Sequence, residues 1–402
     1  MAYFRCGGGG MPAGLQSGMD AVLNKKFGTS TTYPASDWPD TVNLMGVLPE
    51  KTVSGAIAVI DDGADDVPTK SLIVTIPASL SGVSSVTEKQ TGRNLFDKDN
   101  ANVVNGYIDV SAFNTGNANA KTIYIPIKGG VTYTVSKTVG ARFSIATSEV
   151  IPTSGATYTS RQAGNTSASL TITAGANDAY LWAWIYLNGT DTGTLEDMLA
   201  SVQIEYGSTA HAYEPYQTPT GYTASLGRTI YGGQVDIVNG EGQETYQHYT
   251  ASDVTSLYWN NKKAQQVDTN HNATFRIATT ANYLTTTNPL SNMLTHSYNI
   301  TTGNGDTVGF QVLPAGGIYI CVPLSLIGLS EATSSTDDSV FLDAIHNLGS
   351  SLEFVVNLAT PTDFTFTGQE VPTRLGYNAF WSDEGDTEVT YRRDIDLALG
   401  GN

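Results

Sequence analysis

Hydrophobic and polar positions alternate with a period of two along most of the chain, in short runs separated by Gly, Asn, Thr and Pro, and this pattern predicts strands rather than helices. Between 88 and 217 the runs TIYIPI, VTYTVSK, ARFSIAT, ASLTITA, AYLWAWIYL and VQIEYG recur at the spacing of a β-sandwich. The stretch from 219 to 402 continues with GGQVDIVNG, ATFRIATT, TVGFQVL, GIYICVPL, LEFVVNLA and TEVTYRRD. Upstream, GAIAVIDDGADDVPTKSLIVTI reads as two strands around an acidic turn. Two segments break the period. Met11, Leu15, Met19, Val22 and Leu23 sit near helical spacing ahead of Gly28, predicting a short N-terminal helix behind the Gly7–Gly10 arm. DDSVFLDAIHNLG predicts one helix in the C-terminal half, opened by Ser335 or Thr336 and closed by Gly349. Asp337 and Asp338 favour its first turn, and Val340, Phe341, Ala344, Ile345 and Leu348 form a stripe expected to cover one face of a sheet.

At 402 residues the chain exceeds what a single core usually serves. The expected fold class is all-β and multi-domain: an antiparallel, jelly-roll-like sandwich plus a second β-rich domain, with the two helices above. The 41 Gly, the 21 Tyr and a charged fraction of only 14% agree with strands and tight turns. The formal charge of −18 repels phosphate backbones and anionic headgroups, which argues against nucleic acid as a partner; the same acidity also serves simple solubility. No apolar run approaches the ~18 residues of a membrane span, and MAYFRCGGGGMPAG lacks the apolar core of a secretory signal, so synthesis in a cytoplasm without secretory export is expected. Cys6 and Cys321 lie in unrelated contexts with no CxxC, which points to neither a zinc site nor a disulfide framework.

Several segments carry a more specific signal. MDAVLNKKFGT, YPASDWPDTVNLMGVLPEKTVSGAIA and IDDGADDVPTKSLIVTI, then TGRNLFDK and IEYGSTAHAYEPYQ, then GRTIYGGQVDIVNG and VVNLATPTDFTFTGQEVPTRLGYNAFWSDEGDTEVTYRRD, together span most of the chain. The chain resembles minor structural proteins of tail or fibre type from tailed phages and prophages of gut Firmicutes. In that resemblance NLFDK opens and YEPYQ closes a carbohydrate-binding-like sandwich; EYGSTAHAYEPY departs from the pattern, where a basic residue commonly precedes the Gly. The resemblance implies a non-enzymatic virion component, assembled in the host bacterial cytoplasm, with other virion proteins as partners and host cell-surface glycan as a ligand of the sandwich. It also implies a homo-oligomer, with a trimer favoured by analogy with other phage fibres. The domains expected are 1–66 as arm, helix and linker for attachment, 88–217 as the sandwich, and 67–87 plus 218–402 as a β-rich domain interrupted by it. In that arrangement NLFDK and YEPYQ lie together, and SLIVTI pairs with YTASL or TIYGGQVDIV.

The candidate chemistry centres on one strand. In YLWAWIYL, Tyr180, Trp182, Trp184 and Tyr186 share one face, and Leu181, Ala183, Ile185 and Leu187 the other. The aliphatic face suits a core; the four aromatics suit a platform for sugar rings, or equally a second core or an interface. Asp61, Asp62, Asp65 and Asp66, and separately Asp383, Glu384 and Asp386, lie in Gly-containing turns; calcium is the alternative to a solvated turn in each. No metal or other cofactor is expected: His211, His248, His271, His296 and His346 are scattered singly, and neither HExxH nor GxSxG occurs. Two other functions stay open beside the adhesin: a purely structural tail or capsid-decoration subunit, and a depolymerase, which needs two carboxylates at glycosidase separation.

Overall fold

The computed structural model describes residues 51–61, 69–100, 102–116, 120–139, 142–164, 167–186, 194–258, 272–279, 283, 290–293, 296–297, 309–313, 317–329, 337–374 and 376–391. The expected N-terminal helix, Cys6, Asp62, Asp65, Asp66, Leu187 and His271 lie outside the described residues. The fold is all-β, built from several antiparallel sheets; among the described residues one parallel pair joins His296–Ser297 to Gly309–Leu313.

Two facing sheets form a carrier sandwich from segments far apart in sequence. Thr69–Ile76 lies between Thr387–Tyr391 and Gly233–Asp236, in the sheet that continues to Glu241–Thr250 and Glu353–Thr365. Val83–Thr91 lies between Thr220–Ile230 and Tyr377–Ser382 in the second sheet. SLIVTI thus pairs with GQVD, Ile73 opposite Asp236. Alternation supplies the core: Leu72, Val74, Ile76, Val86, Ala224, Val235, Phe380 and Val389 meet between the layers. Residues 51–61, placed in the attachment region by sequence, instead add an edge strand to each sheet, Lys51–Gly55 beside Thr387–Tyr391 and Ala58–Asp61 beside Tyr377–Ser382. Their pattern explains this, since Ala58 and Ile60 are fully buried and alternate with the part-buried Ile57 and Val59 and the exposed Asp61.

Between the strands Val83–Thr91 and Thr220–Ile230 the chain makes a second sandwich. Its five-stranded sheet runs Ser160–Gly164, Arg142–Ser148, Tyr180–Tyr186, Ala120–Pro126, Asn102–Asn105, and its three-stranded sheet runs Ser169–Thr173, Thr132–Ser136, Gln203–Tyr206. The neck is closed by NLFDK and YEPYQ: Asn94 Nδ2 donates to the Glu214 carbonyl at 3.1 Å, and Arg93 Nε donates to Glu214 Oε1 at 2.8 Å. A short helix, Leu195–Ala200, was not evident in the strand pattern. Its signal is TLED, a capping box in which Thr194 and Asp197 satisfy each other's backbone N–H groups.

A third core lies within residues 249–358, where the far halves of Glu241–Thr250 and Glu353–Thr365 meet a five-stranded sheet. The helix expected in the C-terminal half spans Asp338–His346, with Phe341 and Ile345 buried in this core. Its N-cap is Asp337 rather than Ser335 or Thr336, because the Asp337 carboxylate accepts from Ser339 N. Asn347 is its C-cap, two residues before Gly349.

The carrier and the inserted sandwich touch through polar anchors. Lys128 Nζ donates to the carbonyls of Ala56, Ser382 and Gly385 at 3.0–3.1 Å. Arg93 Nη2 reaches Asp61 Oδ1 at 2.8 Å, and its guanidinium lies 4.5 Å from the centre of the Tyr377 ring. Removing this cation leaves Glu205, which is fully buried, without its nearest positive charge. Arg93→Ala is therefore expected to cost about 3 kcal/mol in chemical denaturation; a cost within ~0.5 kcal/mol would show that the neck does not depend on it.

Glu88 is also buried, and burial pushes its carboxyl up to about 8 against the opposing pull of the Thr387 hydroxyl and the Lys128 charge. The unfolded carboxyl titrates near 4.5, so the folded chain holds an extra proton between pH 4.5 and 8 and loses stability as pH rises through that window. Relative to Glu88→Gln, the native chain is expected to weaken by about 1 kcal/mol per pH unit there. Urea titrations of both proteins at pH 4.5 and pH 8 check this, and an unchanged difference between them would contradict it.

Candidate functional site

Tyr180–Tyr186 occupies the centre of the five-stranded sheet, and the two faces of this strand have separate fates. Leu181, Ala183 and Ile185 are fully buried with Phe143, Ile145, Tyr133, Val135 and Ile204 between the sheets. The aromatic face does not form one open platform. A hairpin of Tyr107–Ile108 and Phe113–Asn114 folds down over its middle, tied to the 151–158 segment by Phe113 N donating to Ala156 O at 2.8 Å and Tyr158 Oη donating to Asp109 O at 3.0 Å. Gly106 allows this fold-over. Its φ is +143°, and a Cβ there would stand 2.5 Å from both Asn114 O and the Phe113 ring.

Under the hairpin, Trp182 is completely buried, edge-on to Phe113 at 6.0 Å, with its indole N–H donating to Val150 O at 3.1 Å. It is the centre of a second, outer core with Ile108, Phe113 and Ala146. Tyr180 is part-buried and edge-on to Tyr124 at 6.2 Å. Trp184 and Tyr186, also part-buried, pack at 6.1 Å, and Tyr107 closes on Trp184 at 6.0 Å with the rings tilted by 50°. Of the four residues singled out by sequence, Trp182 therefore serves the core, Tyr180 flanks it, and Trp184 and Tyr186 remain together at one half-covered end.

That end carries two polar groups that the sequence pattern did not indicate. Ser144 is the direct cross-strand partner of Trp184 and lies buried; its hydroxyl accepts from Arg161 Nη2 at 3.5 Å, a long contact. Arg161 arrives from the outermost strand, opposite Ala146 and on the same face as the aromatics. Among the described residues the Trp184 indole N–H and the Arg161 Nε–H, both closed to solvent, have no hydrogen-bond partner. Two unmet donors on one sheet face are costly unless something accepts from them. No local sequence signal marks Arg161 or Tyr107, since the reach of Arg161 to Ser144 and of Tyr107 to Trp184 depends on pairing across strands.

The other sequence candidates go elsewhere. Asp61 is engaged by Arg93, Asp383 pairs with Lys89 at 2.6 Å, and Glu384 accepts from the Ser382 hydroxyl. His211 Nδ1 meets Glu205 Oε2 at 2.6 Å, His248 Nε2 meets Glu353 Oε2 at 3.2 Å, and His346 Nε2 donates to Val254 O at 2.9 Å. Among the described residues no three metal-ligating side chains converge.

Compared with protein-family models, curated proteins and solved structures, the chain gives no match.

The division of the aromatic face has an energetic consequence. Trp182→Ala is expected to destabilise the inserted sandwich by about 3–5 kcal/mol, and Trp184→Ala by about half of that or less. Thermal and urea unfolding of the two variants checks the order, and equal losses would show that the hairpin does not separate them.

Proposed function

We propose that the protein is a non-enzymatic structural component of a bacteriophage virion, of tail or fibre type, which displays its inserted sandwich for recognition of host-surface glycan. The observation that carries the glycan part is the half-covered end of the sheet, where the part-buried rings of Trp184, Tyr186 and Tyr107 pack together beside the fully buried Trp182. Aromatic rings offer a flat apolar surface to the CH face of a sugar. The virion part rests on the resemblance of the head, sandwich and C-terminal segments, in which the N-terminal region is the part that attaches to the particle. A closed homo-oligomer, with a trimer preferred, multiplies sites that are weak one at a time.

The carrier suits such a role mechanically. The inserted sandwich leaves it and returns through one neck, fixed by Arg93 and Lys128, so the aromatic end keeps a constant direction relative to the carrier. Burial of Trp182 favours a second reading for part of the face, in which the outer core braces the sandwich as a purely structural subunit. The two differ at Trp184. Purified protein should bind host cell-wall polysaccharide saturably, with Trp184→Ala/Tyr186→Ala reducing binding about tenfold or more while the sandwich stays folded. Undiminished binding by that folded variant, or no binding by the native oligomer, would move the assignment to the structural subunit.

A further inference from the structure

The inserted sandwich and the carrier meet without sharing a core. Among the described residues no sheet crosses from one to the other. Ile123, Phe143, Ile145 and Ile204 pack in one apolar cluster, and Val74, Val86, Phe380 and Val389 in another. Two bodies without a large apolar interface move relative to one another unless something pins them. A ring contact, Tyr206 against Trp381, touches across the junction, and the polar bonds that join the two bodies fall at two places.

The two places are unlike. At the first, the backbone itself crosses: the chain leaves the carrier after Val83–Thr91 and returns before Thr220–Ile230, and Arg93 binds Glu214 of the returning segment and Asp61 of the carrier. This point stays joined whatever its side chains do. Asp61 lies opposite Tyr377, at one end of the strand Tyr377–Ser382. The second place is at the other end of that strand, about 17 Å along it. There Lys128 Nζ reaches the carbonyls of Ser382 and Gly385, and that of Ala56 beside them, from a loop that has no backbone link to the carrier.

Both halves of this second contact are built. On the insert, the Tyr133 hydroxyl accepts from Lys128 N at 2.8 Å and donates to Lys128 O at 3.1 Å. Gly129 then lies so close to the facing turn that a Cβ would stand 2.2 Å from Ala176 O. The lysine backbone is thus fixed to the insert. On the carrier, three carbonyls converge at 3.0–3.1 Å on an ammonium that has three N–H donors. Such a group withdraws as one side chain, with no strand pairing or core broken.

We infer that the inserted sandwich is a hinged arm, with the double chain crossing at Arg93 as its pivot and Lys128 in its carbonyl cup as the latch that sets its direction. Tyr180, at the latch end of the central strand, lies opposite Pro126, two residues before Lys128. Tyr186 stands at the far end of the same strand, about 20 Å away. Opening the latch therefore swings the Trp184 and Tyr186 end while both cores stay intact. The latch belongs to the junction, and it stands whether or not that end binds glycan.

The test is a spin-label distance measurement on the full chain, labelled through Glu196→Cys in the insert and Thr362→Cys in the carrier, both exposed positions. Cys6→Ser and Cys321→Ala remove the native thiols. The chain with Lys128 in place should give one narrow distance distribution. Lys128→Met keeps a long side chain but loses the ammonium, and should raise the displaced population about tenfold or more. Lys128→Arg keeps the charge but spreads its donors in a planar fork that three converging carbonyls do not match, and should give an intermediate population. It carries the test where Lys128→Met fails to fold. Lys98→Met, which removes an exposed cation of the insert, should leave the distribution unchanged. The Trp182 indole N–H, bonded to Val150 O, reports that the sandwich stays folded. A distribution as narrow in the Lys128 variants as in the chain that keeps the lysine overturns the latch. A distribution already broad with Lys128 in place overturns it too. Displacement seen only together with loss of the Trp182 signal assigns Lys128 to the stability of the sandwich and overturns the hinged arm.

Discussion

Arg93 joins the two points where the chain enters and leaves the inserted sandwich, and the rest of the architecture depends on that closure. Its side chain is almost fully buried, held by Glu214 from the returning segment, Asp61 from an edge strand of the carrier and the face of Tyr377 from a third segment. Burial alone would lower its pKa, but the hydrogen bond to Glu214 and the charges of Asp61 and Glu214 raise it, so the guanidinium stays charged. Beside it, Glu205 is satisfied by Gln203 Nε2, His211 N and His211 Nδ1 at 2.6–3.1 Å. With the neck closed, Val83–Thr91 and Thr220–Ile230 lie side by side, and the carrier core between the two sheets follows.

The carrier core and the core within residues 249–358 are joined by two shared strands. The strands Glu241–Thr250 and Glu353–Thr365 pack Phe364 against the carrier at one end and Tyr249 and Phe354 against the third core at the other. Lys128 and the contact of Tyr206 with Trp381, 6.1 Å between ring centres, add a second line of attachment between insert and carrier. The half-covered aromatic end is thus held on a sheet, which limits the ordering cost of binding.

A strand with strict alternation was legible in the sequence because burial of one face imposes that pattern, as in SLIVTI. EGQETYQHYT was not, for a physical reason. Its core-side positions include Gly242, where a Cβ would stand 2.2 Å from the Phe364 ring, and Glu244, which pairs with Arg228 at 2.5 Å, so the strand is buried without reading as apolar. The helix at 195–200 is too short for periodicity and shows itself only through its capping box. At the site, period two placed four aromatics on one face. It could not indicate which of them a hairpin from residues 107–114 covers, nor that Ser144 lies opposite Trp184 and is reached by Arg161 from the strand beyond.

The most direct test of the account is the indole N–H resonance of each of the five tryptophans, followed while ¹⁵N-labelled protein is titrated with host cell-wall polysaccharide. The Trp184 N–H, which has no acceptor, is predicted to shift on binding, whereas the Trp182 N–H, bonded to Val150 O, is predicted to stay in place. A saturable shift confined to another tryptophan, or no shift at Trp184 while the polysaccharide binds, would contradict the placement of the site.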